Sequence, residues 1–188
     1  MNSLTSKFKN KETLFAVLAM VLIAFALISR LLPHPPNFTP IAAVAIFGAL
    51  YLPKRWTLII PLGALLLSDA LIGFYAWKIM LAVYGSFALT GLIALAARKH
   101  KNALSIFSAT LAGSILFFII TNAAVWMFGT MYPFTFEGLF QCYMIAIPFF
   151  KNTLMGDMFY VGVLVGITEV AFFAIKTRLV PQTINRAE

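Results

Sequence analysis

Apolar positions along this chain fall into long uninterrupted blocks rather than into the alternation of a strand. Short polar or proline-rich stretches separate the blocks. A helix that crosses a bilayer needs about 20 apolar residues, fewer where the bilayer is locally thin. Six blocks meet that description: Thr13–Leu32, Phe38–Leu52, Thr57–Phe74, Trp77–Ala97, Ala103–Phe128 and Thr153–Ile175. The second is short and opens with Pro40, a residue suited to a first helical turn. A seventh segment, Phe136–Phe150, is apolar but short, carries Glu137 and Gln141, and ends near Pro148. Its length and mix predict an interfacial or re-entrant helix rather than a span. The pattern therefore predicts an all-α integral membrane protein, a bundle of six transmembrane helices forming one domain over residues 1–188.

Composition agrees. Of 188 residues, 62% are hydrophobic and 11% charged, against roughly 45–50% and ~25% in soluble domains. Lipid must be the solvent for most of this surface. The net charge of +8 sits in short clusters between apolar runs, which marks sidedness rather than nucleic-acid binding, because Lys and Arg resist translocation. With six helices and the N-terminus inside, Lys7, Lys9, Lys11, Lys54, Arg55, Arg98, Lys99, Lys101, Lys176, Arg178 and Arg186 lie on the cytoplasmic side. Only Arg30, Lys78 and Lys151 lie outside. A seven-helix count moves Lys176, Arg178 and Arg186 outside and weakens this asymmetry, so both termini are expected inside. The basic start and Ala24-Phe25-Ala26 resemble a signal peptide, but the apolar run continues to Leu32, so a retained span is expected.

This topology gathers the polar residues at the outer face. The first outer loop, residues 30–40, holds Arg30, His34 and Asn37 and is stiffened by its prolines. The second is flanked by Asp69, Tyr75, Trp77 and Lys78, and the third holds Trp126, Tyr132, Glu137, Lys151, Asn152 and Asp157. Trp and Tyr belts with snorkelling Lys and Arg account for any one of them. Asp69 and Asp157 differ: each sits inside its helix, where a carboxylate needs a partner, and Arg30 and Lys151 are within sequence reach of that role. Asn122 lies deeper, as a polar link between helices or a ligand contact. Glu169, near the inner end, has Lys176 and Arg178 as candidate partners. The lone Cys142 excludes a disulfide, and His34 and His100 fall on opposite sides, so no two-His metal site is expected. No nucleotide-binding glycine loop or nucleophile–base pair stands out, and Ser68 beside Asp69 suits a helix hydroxyl bonded to its own backbone. Ala45 with Ala49, and Gly162 with Gly166, form small-residue pairs that let helices approach closely, inside the bundle or against another membrane subunit.

Four stretches carry a resemblance: residues 30–43 (RLLPHPPNFTPIAA), Leu67-Ser68-Asp69 before a Gly-Phe turn, Thr121-Asn122 with Val125-Trp126, and residues 147–157 (IPFFKNTLMGD). Together they resemble an uncharacterised family of small bacterial membrane proteins, which is in turn similar to the substrate-binding S components of energy-coupling-factor (ECF) vitamin transporters. The resemblance implies a six-helix protein of the bacterial cytoplasmic (inner) membrane that binds a small vitamin-like molecule from outside. It implies as partners a membrane coupling subunit and two ATPases, met by a small-residue face for which Ala45 and Ala49 are the candidates. The ligand contacts expected on the outer face are Arg30, His34, Asn37, Asp69, Trp77, Asn122, Trp126, Lys151, Asn152 and Asp157, with no metal and no cofactor. The alternative is a non-transporting membrane scaffold or envelope assembly factor. An intramembrane enzyme would need an acid pair such as Asp69 with Asp157 or Glu137, and no recognised catalytic constellation supports one.

Overall fold

The structure, a computed structural model, describes residues 2–184, with side chains placed over residues 10–177. Six α-helices follow one another: α1 (Asn2–Leu31), α2 (Ile41–Tyr51), α3 (Trp56–Ile72), α4 (Trp77–Ala97), α5 (Ala103–Phe128) and α6 (Phe136–Ile184). No strand occurs among the described residues. Four stretches are long and apolar enough to cross a membrane: Asn10–Leu31, Trp77–His100, Ala103–Phe128 and Phe136–Thr177. At ~1.5 Å per residue, α2 reaches only about 16 Å, roughly half of a bilayer core.

The shortest helix is the centre of the bundle. All ten residues from Ile41 to Leu50 are buried, as expected of a helix that is apolar on every side. Ile41, Val44 and Phe47 pack with Ala19, Leu22 and Ala26 of α1 and Ile60, Ala64 and Leu65 of α3. Ala43, Ile46, Ala49 and Leu50 face Ala94 of α4 and Val161 of α6. Arg98 donates to the carbonyls of Ala49 and Leu52, supplying the last turn of α2 with donors.

Backbones approach closely around α4. Pro61 inside α3 has no N–H, which frees the Thr57 carbonyl one turn earlier. Gly91 of α4 lies against that carbonyl: a Cβ there would meet it at 3.1 Å. A Cβ on Gly113 of α5 would meet Thr90 of α4 at 2.7 Å.

The last helix departs from expectation. Phe136–Phe150 is not a separate interfacial or re-entrant helix, and no break precedes Thr153; both belong to one 49-residue α6. Pro148 does not stop it, as happens where neighbouring helices meet the freed backbone groups. Tyr143 bonds the Ile119 carbonyl, Phe150 packs on Phe118, and Asp157 bonds Ser114, so α6 runs antiparallel to α5 from its first turns. Phe136–Phe150 is therefore bundle wall, and Lys151 and Asn152 lie on a helix rather than in an outer loop.

The two ends of the bundle differ. One gathers the loops at 32–40, 73–76 and 129–135. The other gathers the loops at 52–55 and 98–102 with the N-terminal turns of α1 and the C-terminal turns of α6. There Arg55 pairs with Glu12, and Lys101 pairs with Glu169 at 2.7 Å. Glu169 also accepts from Tyr51 at 2.5 Å, so its partners are Lys101 and Tyr51, not Lys176. The side chains of Lys7, Lys9 and Arg178, and all of Arg186, lie outside what is described.

Candidate outer-face cavity

Two adjoining cavities open at the end that lacks the basic loops. One, of about 280 Å³, is polar: Arg30, His34, Asn37, Thr39 and Tyr75 contribute to its wall. The other, of about 230 Å³, is lined mainly by aromatic and aliphatic side chains of α4, α5 and α6, among them Phe118, Phe149 and Phe150, with Thr121, Asn122 and Thr153 as its polar points. Asn37, Val83 and Phe117 belong to both walls. Small-molecule sites span roughly 300–1,000 Å³ and combine an apolar lining with a few convergent polar groups, a description the joined cavities meet.

The polar lobe is built on a buried ion pair. Arg30, at the end of α1, meets Asp69 of α3 at 2.8 Å; the Asp69 side chain is 2% exposed and that of Arg30 20%. The same Arg30 nitrogen donates to Ser68, and Tyr84 of α4 donates to the other Asp69 oxygen at 2.9 Å. Three helices are thus tied at one carboxylate. A guanidinium has five N–H donors, and Arg30, which lines this cavity, engages Asp69 and Ser68 through one nitrogen. Tyr75, in the loop after α3, has its hydroxyl pushed up to about 12 by burial and by the nearby Asp69 charge, so it stays a donor. His34 Nδ1 lies 2.6 Å from the Leu32 carbonyl. A carbonyl only accepts, so Nδ1 is the donor of this bond.

The proline-rich loop is pinned as well as stiff. Asn37 has φ 63°, a left-handed conformation that Asn tolerates better than most residues. The Phe38 ring packs on Phe159 and Tyr160 of α6. Gly156 of α6 lies beneath it, where a Cβ would come within 3.2 Å of the Phe38 backbone and ring. That close approach sets Asn37 between the two lobes.

Of the expected ligand contacts, Arg30, His34, Asn37 and Asn122 line the cavities. Asp69 holds Arg30 from beneath. Asp157 is buried and accepts from Ser114 at 2.7 Å, with no cation paired to it among the described residues; Lys151 does not reach it and is exposed. Asn152 is half-buried on α6 and lines neither cavity. Trp126 donates to the Pro133 carbonyl and stacks on Phe134, closing the α5–α6 loop. Trp77 is 63% exposed at the start of α4, with Lys78 beside its ring. Lys151, Asn152, Asp157, Trp126 and Trp77 therefore do not form the wall. The residues missed include Val83, Phe117, Phe118, Phe149 and Phe150, because an apolar side chain facing a cavity and one facing lipid have the same sequence signature, and Tyr75, Thr121 and Thr153, whose types are ordinary at a membrane interface or within a membrane helix.

The small-residue pairs divide. Ala45 and Ala49 are 0% exposed within their own bundle, so they offer no face to a second subunit. A Cβ on Gly162 or Gly166 would meet nothing within 4 Å, so this pair makes no internal helix contact.

The model of a family of unknown function, DUF6580, matches residues 9–182. No curated protein and no solved structure matches.

Proposed function

We propose that this chain, which belongs to the DUF6580 family, is a membrane-embedded substrate-binding protein that captures a small vitamin-like molecule, in the manner of an ECF S component. The observation that carries this reading is the two-lobed cavity joined at Asn37, Val83 and Phe117. Arg30, Tyr75 and His34 suit the polar end of a ligand, and Phe117, Phe118 and Phe149 suit its flat or bulky apolar body. In this proposal the six-helix bundle lies in the bacterial cytoplasmic membrane with both termini inside, the short α2 passing through its centre inside a jacket of longer helices. The positive-inside rule supports that orientation, since Lys54, Arg55, Arg98, Lys99 and Lys101 share the end opposite the cavity. Capture then occurs from outside. Energised uptake would require a coupling subunit and ATPases, and the open Gly162–Gly166 face of α6, not Ala45 and Ala49, is where such a subunit would meet the chain.

The test is extraction of small molecules from purified protein, read by mass spectrometry, for wild type and for Val83→Trp, which fills the junction of the lobes. The proposal expects a molecule bound to wild type and absent from Val83→Trp. Empty wild-type protein, with no uptake defect on deletion, would reject it. A second reading, a non-transporting scaffold, draws on the same open glycine face; altered cell shape with normal uptake in a deletion strain would favour it.

A further inference from the structure

A second cavity opens toward the other end of the bundle, between α1, α2 and α6. It is an apolar crevice of about 480 Å³. Leu14, Val17, Leu18 and Val21 of α1 form one side, Thr168 and Phe172 of α6 the other, and Phe47 and Tyr51 of α2 the floor. The crevice is closed toward the capture end, where Phe25 of α1 meets the Tyr160 ring of α6 edge-on at 6.0 Å. The two helices are antiparallel, and their side chains keep register. From Phe25 the stripe on α1 passes Val21, Val17 and Leu14; from Tyr160 the stripe on α6 passes Thr168 and Phe172.

Both stripes end in a lysine. Lys11 stands three residues before Leu14 and Lys176 four residues after Phe172, so each lies on the crevice face of its helix, one turn beyond the last lining residue. Both are exposed and carry no ion pair among the described residues. Two neighbouring cations are neutralised: Arg55 is paired with Glu12, and Lys101, whose ammonium lies 3.6 Å from the Tyr51 ring centre, is paired with Glu169. The crevice thus offers an apolar slot topped by two unneutralised cations.

We infer that this crevice binds an anionic phospholipid, with one acyl chain against Val17, Leu18 and Phe47 and its phosphate between Lys11 and Lys176. An apolar slot alone would take any lipid chain; the paired lysines select the charge, as basic pockets between helices do for acidic headgroups. The proposal is independent of the capture reading, since the two cavities lie at opposite ends.

The test places the full chain in nanodiscs of equal phosphatidylglycerol and phosphatidylcholine with matched acyl chains, and counts by native mass spectrometry the lipids it retains. Wild type should retain phosphatidylglycerol in excess, and Lys11→Gln and Lys176→Gln should each lower that excess about fivefold. Val17→Trp, which fills the slot, should release both lipids. All three positions are exposed, and an unchanged helical circular-dichroism signal checks that each variant folds. Equal retention of the two lipids, an excess unchanged in the double lysine variant, or a dimer mass showing a second copy in the crevice would overturn the proposal.

Discussion

The two ends of this bundle are held by the same kind of bond in opposite settings. At the cavity end, Arg30 and Asp69 pair out of solvent, with Ser68 and Tyr84 completing the hydrogen bonds. At the basic end, Glu12 with Arg55 and Lys101 with Glu169 pair in the open, where three of the four side chains are more than half exposed. A buried pair is costly to break because one charge is left without water or partner, whereas an exposed pair adds little. The cavity end is thus tied by a pair that is costly to break, and the basic end by pairs that are cheap to break.

Single substitutions separate the two settings. Arg30→Met leaves Asp69 buried and unpaired and should destabilise the protein by about 3–5 kcal/mol, the largest effect expected, measured as reversible unfolding in detergent. Retained stability would mean that Tyr84 alone satisfies the carboxylate. Gly113→Ala drives a methyl into Thr90 at the α4–α5 contact and should cost about 1–3 kcal/mol. Ser114→Ala removes the hydroxyl that Asp157 uses and should cost roughly 1–3 kcal/mol, with Ser114→Thr restoring part of the loss. Lys101→Gln at the basic end should change stability by less than about 1 kcal/mol. A Lys101→Gln loss matching that of Arg30→Met would end the distinction between the ends.

How far the sequence carried this picture depends on what interrupted each apolar block. The helices Trp77–Ala97 and Ala103–Phe128 were legible to the residue because the Gly73-Phe74 turn on one side, Arg98-Lys99-His100 between them and Gly129 beyond interrupt the apolar run. The break expected near Pro148, Lys151 and Asn152 does not exist. Composition alone does not separate a polar residue in a loop from one on a helix held by its neighbours, and the ties of α6 to Ile119, Phe118 and Ser114 are long-range. That Asp69 needs a cation was legible from its place inside a helix, with Arg30 and Lys151 both open as partners; the structure selects Arg30. The partner of Asp157 was not, since a serine in another helix leaves no charge to count. Four cavity-wall positions, Arg30, His34, Asn37 and Asn122, stood out as polar residues in apolar surroundings, while the aromatic lobe was hidden among residues indistinguishable from lipid-facing ones.

The central claim, a capture cavity open to the outside, is tested most directly by access. In a Cys142→Ala background, the Asn37→Cys variant should react with a membrane-impermeant maleimide added to intact cells, and the reaction should slow when the molecule extracted from wild-type protein is supplied. The Lys99→Cys variant should react only after the membrane is permeabilised. Labelling of the Asn37→Cys variant only after permeabilisation would contradict the account.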